Sequence, residues 1–294
     1  MTLEEGLRAV VGDCLGHIRR HEAGVSAGAD PESVHQMRVG LRRLKCALQL
    51  FEPARPLWRA HRDELAWLAT TLGGARDWEV LAGDTLPSLN HDHGDVADWA
   101  ALADAVRSEA AEHRRVAAEA VRSTRYGRLM TAMQAWVTGT HWRDGLSAAE
   151  LGTLQSPLVH TADRWLARQH ARLIERGRKP GHATAPQRHR ARIAAKKLRY
   201  ATGFFGALYP PSRVAHFTDA LAALQDSFGT LNDAVVARRL LRTLAAAQPA
   251  VAPAAAAAIQ ALAHRRRRGR QAPGRSWRRF KLAKRPWAGH RTRA

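Results

Sequence analysis

The chain has 294 residues with 45% hydrophobic content, and its 47 Lys and Arg outnumber its 26 Asp and Glu. This composition is enough for a core, so it excludes a disordered chain, and two cysteines are too few for a disulfide scaffold. The formal charge of +21 and the pI near 11.5 indicate a polyanionic partner and leave nucleic acid, polyphosphate and an anionic membrane open.

The N-terminal segment does not have the pattern of a secretory signal peptide. Glu4 and Glu5 stand where such a peptide carries cations, and no later stretch approaches the ~18 apolar residues of a membrane span. We therefore expect a cytoplasmic protein that has no membrane partner. Cys14 and Cys46 lie inside helical patterns, which predicts buried, reduced thiols.

Hydrophobic periodicity is helical along nearly the whole chain, and the pattern breaks at Pro and Gly clusters such as GADPES and RKPGHATAP. No run alternates with a period of two residues, so the sequence predicts an all-α fold.

The first distinctive helix is predicted from Val34 to Phe51, and it carries two stripes on opposite sides. One stripe is apolar and predicts a face toward the core; it consists of Met37, Leu41, Leu44, Leu48 and Phe51. The other is cationic and polar and contains no carboxylate; it consists of His35, Arg38, Arg42, Lys45 and Gln49. Because a solvated helix face usually mixes charges of both signs, the second stripe indicates an anion site.

Two further motifs in the first half of the sequence contain an aspartate. Asp77 comes after Gly73 and Gly74, which we predict to break the helix, and we expect Asp77 to hold basic side chains or cap a helix. The His91–His93 segment suggests a metal site, but it lacks a third ligand. Core packing, rather than base stacking, is the interpretation for Trp67, Trp136 and Trp165.

The same pattern occurs twice along the chain. The segment from His35 aligns without a gap on the segment from His189, and the segment from Leu65 aligns on that from Leu221, which pairs Asp77 with Asp233. We predict one domain over 1–294 with internal repeats at about 1–150 and 151–294, each holding about four helices as a bundle. Asp233 is assigned the same structural role as Asp77.

The second copy repeats the cationic row and its apolar seam in register. The row contains His189, Arg192, Lys196 and Arg199, and the seam contains Ala191, Ala195, Leu198, Thr202 and Phe205. If the halves have approximate two-fold symmetry, the two rows face each other across a groove or pore. The C-terminal part contains no Asp or Glu after Asp233. It is either a final helix with a basic outer face, packed through Trp277, Phe280 and Trp287, or a free tail. In either form we expect it to add phosphate contacts without selectivity.

The segments VHQMRVGLRRL, LGGARDWEVL, RHRARIAAKKLRY and FGTLNDAVVA resemble the CHAD family of histidine-containing α-helical domains. The resemblance implies two four-helix bundles related by a pseudo-two-fold axis, with a basic surface between them that binds inorganic polyphosphate. It also implies a stand-alone binding module on polyphosphate granules, because no CYTH triphosphatase domain precedes it here. Ala191 departs from the family, in which Leu is more usual.

We expect the polyphosphate site to use both rows and their neighbours, with Tyr200 as an oxygen donor and with Arg43 and Lys197 about 80° off the rows. The full set is His35, Arg38, Arg42, Arg43, Lys45, His189, Arg192, Lys196, Lys197, Arg199 and Tyr200. Guanidinium and ammonium groups bind phosphate oxygens, and the histidines favour phosphate binding at lower pH.

Two other functions stay open: a basic helical protein that binds nucleic acid non-specifically, and a polyphosphate phosphohydrolase. Neither row interleaves aromatic side chains for base stacking. The chain has no nucleotide-phosphate loop, zinc-protease or acyl-transfer motif. The sequence therefore predicts a binding protein without catalytic residues, cofactor or metal. It does not predict the oligomeric state or the preferred length of the polyphosphate chain.

Overall fold

The computed structural model describes residues 1–28, 30–51, 54–90, 99–177, 184–268 and 272–288. These residues form helices and no strand, apart from an isolated antiparallel bridge between Thr2 and Pro157, which confirms the all-α prediction. The helices are α1 (Leu3–Arg20), α2 (Glu22–Ala27), α3 (Pro31–Leu50), α4 (Arg55–Val80), α5 (Leu86–Asn90), α6 (Trp99–Arg122), α7 (Thr124–Thr138), α8 (Ala148–Leu154), α9 (Leu158–Arg176), α10 (Ala185–Phe205), α11 (Pro211–Ala247), α12 (Ala252–Arg268) and α13 (Ala272–Leu282).

Short turns join several of these helices. A π-helical turn at Leu81–Thr85 connects α4 to α5, and single 3₁₀ turns lie at His141–Arg143, Gly206–Leu208 and Pro249–Val251. In the described ranges, no helix has both the length and the apolar character that crossing a membrane requires.

The chain folds into two compact units whose boundaries differ from those of the two sequence repeats. Unit 1 contains Met1–Leu7, Ser147–Asn232 and Arg268–Ala294, and unit 2 contains Arg8–Leu146 and Asp233–Arg267. The N-terminal turn of α1 therefore belongs with the second half of the sequence. The C-terminal part of α11 and nearly all of α12 belong with the first half.

The core of unit 2 joins helices that lie far apart in the sequence. Trp78 of α4 and Leu102 of α6 belong to the same buried cluster as Leu241 of α11 and Ala258 of α12. Alanine dominates the buried side of α12, and its small side chain lets neighbouring helices approach closely. This core fixes α4 and α11, which both contribute to the site described below.

The N-terminal residues of the chain are hydrogen-bonded to the connection between α8 and α9 in unit 1. The Leu3 amide donates to the Ser156 carbonyl over 2.9 Å, and the Leu158 amide donates to the Met1 carbonyl over 3.2 Å. Helices α9 and α10 pack through Trp165 and Phe205, whose ring centroids are 5.6 Å apart.

The C-terminal segment forms a helix rather than a free tail over 272–282. Trp277, Phe280 and Trp287 are buried, and Phe280 lies 5.6 Å from Phe217 of α11 between ring centroids. His170 of α9 contacts the same cluster, 5.6 Å from Phe280. The outward side of α13 is basic and exposed at Arg275, Arg278, Arg279 and Lys281.

Candidate functional site

The first cationic row lies on α3, whose start is fixed by local sequence. Asp30 caps the helix by accepting from the amides of Glu32 and Ser33 over 3.0 and 3.1 Å, and Pro31 occupies the first turn. The predicted apolar stripe is almost completely buried: Met37, Leu41, Leu44, Leu48 and Phe51. On the opposite side His35, Arg38, Arg42 and Lys45 are partly exposed, and Gln49 is exposed. The two predicted faces of this helix are confirmed.

Arg38 reaches across to α4. Its Nη1 donates to the Leu72 carbonyl over 3.2 Å and lies 3.7 Å from Oδ1 of Asp77. A Cβ at Gly73 would stand 3.1 Å from the same nitrogen, so the missing side chain makes room for the guanidinium. The prediction that Gly73 and Gly74 break the helix is wrong, because both lie inside α4.

The second of these glycines also allows a close approach. A Cβ at Gly74 would come within 3.0 Å of Nδ1 of His113, and the His113 ring stacks on Trp78 with a centroid separation of 5.9 Å. The two glycines are therefore explained by tertiary contacts on either side of α4, and the helical hydrogen bonds continue through them.

Asp77 lies between two arginines from other helices. Its Oδ1 faces Arg38 of α3, and its Oδ2 lies 3.5 Å from Nη2 of Arg239 of α11. This confirms that Asp77 contacts basic side chains, as predicted. Arg239 itself was not predicted as a site residue.

The surroundings of His35 favour the neutral form of its imidazole over the charged form. Burial lowers the pKa of His35, and the positive charges of Arg76, Arg42 and Arg38 lower it further, against a smaller opposite effect of Glu32. A bound phosphate would add negative charge beside this ring and raise the pKa. The imidazole is therefore placed to take up a proton when an anion binds.

Arg42 and Lys45 continue the row along α3. The Nε of Arg42 is shielded from water, and no described residue accepts a hydrogen bond from it. The Nζ of Lys45 lies 5.7 Å from the ring centroid of Trp58, and burial lowers the pKa of Lys45. The Lys45 ammonium is thus partly dehydrated, which strengthens its interaction with an anion.

Arg43 points away from this row. Its Nη2 donates to Oδ2 of Asp13 on α1 over 2.7 Å, so its charge already has a carboxylate partner. Near this pair, Cys14 and Cys46 are buried free thiols as predicted, and burial raises the pKa of Cys14 to about 12. The contacts of Arg43 favour a role in joining α1 to α3.

The second cationic row lies on α10 in unit 1. Thr184 and Gln187 form a reciprocal capping box at its start. The predicted seam is buried at Ala191, Ala195, Leu198, Thr202 and Phe205, which confirms the orientation of this helix. The other face carries Arg192, Lys196, Lys197 and Arg199, all partly exposed, and His189, which is exposed.

Helix α10 is tied to α11 by a buried hydrogen bond from Nε2 of Gln225 to the Ala195 carbonyl over 2.7 Å. Tyr200 is mostly buried, and the guanidinium carbon of Arg199 lies 5.9 Å from its ring centroid. The two rows differ in exposure, because His35 is half-buried whereas His189 is exposed. The role of Tyr200 as an oxygen donor stays a prediction.

Two further predictions concern Asp233 and a metal site at the His91–His93 segment. Asp233 is exposed, and the His91–His93 segment lies outside the described residues. In the part of the chain that the structure describes, no group of three or more His, Cys, Asp or Glu is placed to hold a metal ion.

The sequence reasoning missed Arg76, Arg239 and Trp58. The signal for Arg76 was its place directly before Asp77, although the aligned position in the second copy is Asn232. Arg239 has no cationic counterpart in the first copy, since the aligned position is Gly83. Only the packing of α11 in unit 2 brings it to Asp77.

Comparisons with known proteins agree with this architecture. A family model described as the CHAD domain matches residues 9–242. The crystal structure of the CHAD domain from the plant Ricinus communis is similar with a TM-score of 0.85 and 36% sequence identity, covering 97% of this chain and 93% of that chain. PptA from Streptomyces chartreusis has the same fold, with a TM-score of 0.62, 18% identity and coverage of 96% and 99%. No curated protein matches the sequence.

Proposed function

Because this chain belongs to the CHAD domain family, whose members are associated with polyphosphate, we propose that it binds inorganic polyphosphate without turning it over. The observation that carries the proposal is the repeated helix with a buried apolar seam and a partly exposed cationic row, on α3 and again on α10. Guanidinium, ammonium and imidazolium groups all donate hydrogen bonds to phosphate oxygens, so every cation of such a row can contribute to binding a chain of phosphates.

The chemistry of the row on α3 supports this ligand. Arg42 has a dehydrated Nε for which the described residues supply no acceptor, and an unmet buried donor costs free energy. Burial and neighbouring cations lower the pKa of His35, and Lys45 is partly dehydrated against Trp58. An incoming chain of phosphates provides acceptors and negative charge for all three groups.

Calorimetric titration with long-chain polyphosphate at two salt concentrations tests the proposal. We expect the Arg38→Ala/Arg192→Ala variant to bind at least about tenfold more weakly, because each charge-assisted hydrogen bond contributes about 1.5–3 kcal/mol. The matched control is Arg107→Ala/Arg168→Ala, which removes the same charge from exposed positions on α6 and α9.

Single-stranded and duplex DNA of matched charge serve as competitors in the same titration. Polyphosphate binding that survives moderate salt and outcompetes DNA supports the proposal. Equal, salt-sensitive binding of all three polyanions that is indifferent to the paired-arginine variant contradicts it and favours a non-specific nucleic-acid binder.

Absence of turnover is tested separately. We expect no orthophosphate release from polyphosphate in the presence of magnesium. Release that Asp77→Asn or Asp233→Asn abolishes would instead favour a phosphohydrolase.

The finer architecture is also part of the proposal. The repeat in register supports two four-helix bundles related by a pseudo-two-fold axis, with the rows lining a basic groove or pore. An experimental structure with bound polyphosphate tests this arrangement. A cytoplasmic location on polyphosphate granules stays a prediction, which a fluorescent fusion in polyphosphate-accumulating cells tests.

A further inference from the structure

Three helices of unit 2 bring one carboxylate and two guanidinium groups together. Asp77 of α4 presents Oδ1 to Nη1 of Arg38 of α3 at 3.7 Å and Oδ2 to Nη2 of Arg239 of α11 at 3.5 Å. Each carboxylate oxygen thus faces a different arginine. A carboxylate with this pair of partners occupies the position that two oxygens of a phosphate would take.

Both separations are longer than hydrogen bonds, which for N–H to O span about 2.7–3.2 Å. The Asp77 carboxylate accepts no hydrogen bond from any described residue, so the two ion pairs are the whole set of polar contacts of this side chain within those ranges. The side chain of Arg239 likewise has Asp77 as its only partner in an ion pair or hydrogen bond among the described residues. Its planar fork of donors is therefore available to a ligand.

The cluster opens toward solvent on the Arg239 side. The exposed fraction of the side chain rises from 19% for Arg38 to 28% for Asp77 and 68% for Arg239. An anion that approaches from water meets Arg239 first and Arg38 at the inner end. Asp77 is exposed enough to rotate away without being transferred into a dry interior.

We propose that Arg239 is a further phosphate-binding residue and that Asp77 is an internal counter-ion, which a phosphate group of the ligand displaces from Arg38 and Arg239. This inference rests on the proposed function, because it names the ligand of the same surface. The phosphate exchanges two long ion pairs for direct hydrogen bonds to two guanidinium groups. The displaced carboxylate stays near the bound phosphate and limits the affinity through charge repulsion.

The test is titration of the full chain with polyphosphate of defined length at several salt concentrations, using Arg239→Ala, Asp77→Asn, their combination and the control Arg107→Ala. We expect Arg239→Ala to weaken binding five- to tenfold and to reduce the slope of log K against log salt by about one. Arg107→Ala, an exposed arginine paired with Asp104, should change affinity less than twofold. Asp77→Asn should strengthen binding several-fold, and by less when Arg239 is also removed.

An effect of Arg239→Ala no larger than that of Arg107→Ala overturns the assignment of Arg239. If Asp77→Asn binds polyphosphate more weakly while its thermal unfolding is unchanged, the proposal that phosphate displaces Asp77 is wrong. Asp77 is then a positioning residue. If Asp77→Asn does not fold, Asp77→Ser replaces it.

If the wild type binds no polyphosphate, the proposed function fails, and the same variants are then measured for stabilisation by orthophosphate in thermal unfolding. A stabilisation that Arg239→Ala loses and Arg107→Ala keeps supports an anion site at this cluster for another ligand. Equal stabilisation of both variants, or none of the wild type, overturns the inference as well.

Discussion

At the scale of single residues, Gly73 lowers the helix propensity of α4 but leaves room for the guanidinium of Arg38. Alanine in a helix interior is favoured over glycine by roughly 0.5–1 kcal/mol, but its Cβ would crowd Nη1 of Arg38 at 3.1 Å. We expect Gly73→Ala to change the free energy of unfolding by less than about 1 kcal/mol while weakening polyphosphate binding.

The control for this prediction is Gly127→Ala on α7, where an added Cβ meets no atom within 4 Å. It should stabilise the protein by about 0.5–1 kcal/mol and leave binding unchanged. Equal binding by the two variants in calorimetry would show that Arg38 does not need the space over Gly73.

His35 links ligand binding to pH. Its pKa is lowered in the folded protein by burial and by Arg76, Arg42 and Arg38, and bound phosphate should raise it. Binding therefore takes up a proton, and we expect the affinity for polyphosphate to increase as the pH falls from about 8 through the ordinary histidine pKa of about 6.5. Titrations of wild type and His35→Gln in matched buffers measure this.

His216→Gln is the control, because His216 lies exposed on α11. It should keep the pH dependence that His35→Gln reduces. If the affinity of His35→Gln for polyphosphate changes with pH as much as that of the wild type, His35 does not take up a proton when the ligand binds.

The same pKa direction sets the pH dependence of stability without ligand. The unfolded chain binds the proton of His35 more readily, and burial also lowers the pKa of His17 and His170. This contribution to stability is present above about pH 6.5 and is lost as the pH falls through the lowered pKa values. We expect the thermal midpoint to fall between pH 7.5 and 5.5; a rise over that interval would contradict the assignment.

At the scale of helices, the sequence predicts the orientation of α3 and α10 because each apolar seam repeats with helical spacing. The same reasoning failed at Gly73 and Gly74, since local propensity disfavours glycine in a helix and the contacts that favour it come from Arg38 and His113. Arg239 escaped prediction for a related reason. Its partner Asp77 lies on a helix far away in the sequence, and no repeat links the two positions.

The sequence left open whether the C-terminal segment is a packed helix or a free tail, and the packing of α13 decides between them. Trp277 is buried, and a methyl group at Gly177 would overlap its indole. We expect Trp277→Ala to lower the free energy of unfolding by about 3–5 kcal/mol, the usual cost of truncating a buried tryptophan. Urea unfolding followed by circular dichroism measures this.

The neighbouring Arg278→Ala is the control, because Arg278 is exposed and should change stability by at most about 0.5 kcal/mol. If both variants unfold at the same urea concentration, α13 does not stabilise unit 1 through its aromatic side.

At the scale of the whole molecule, the net charge of +21 destabilises the folded state through repulsion among like charges. Salt at about 0.5 M should screen this repulsion and raise the thermal midpoint of the ligand-free protein relative to about 0.05 M. Sodium chloride, rather than phosphate or sulfate, avoids specific anion binding. A midpoint that falls with salt would mean that ion pairs such as Arg43–Asp13 outweigh the repulsion.

The division of α11 between the two units bears on how the chain folds as it leaves the ribosome. Trp78 and Leu102 cannot complete their core until Leu241 and Ala258 have been synthesised, more than a hundred residues later. Unit 1 in turn needs both Met1–Leu7 and the aromatic residues of α13. Unit 2 therefore cannot finish folding until most of unit 1 has been made, and unit 1 cannot finish until the whole of unit 2 has been made. Until then the nascent chain carries exposed apolar faces, so its dependence on chaperones should exceed that of a protein whose domains fold one after another.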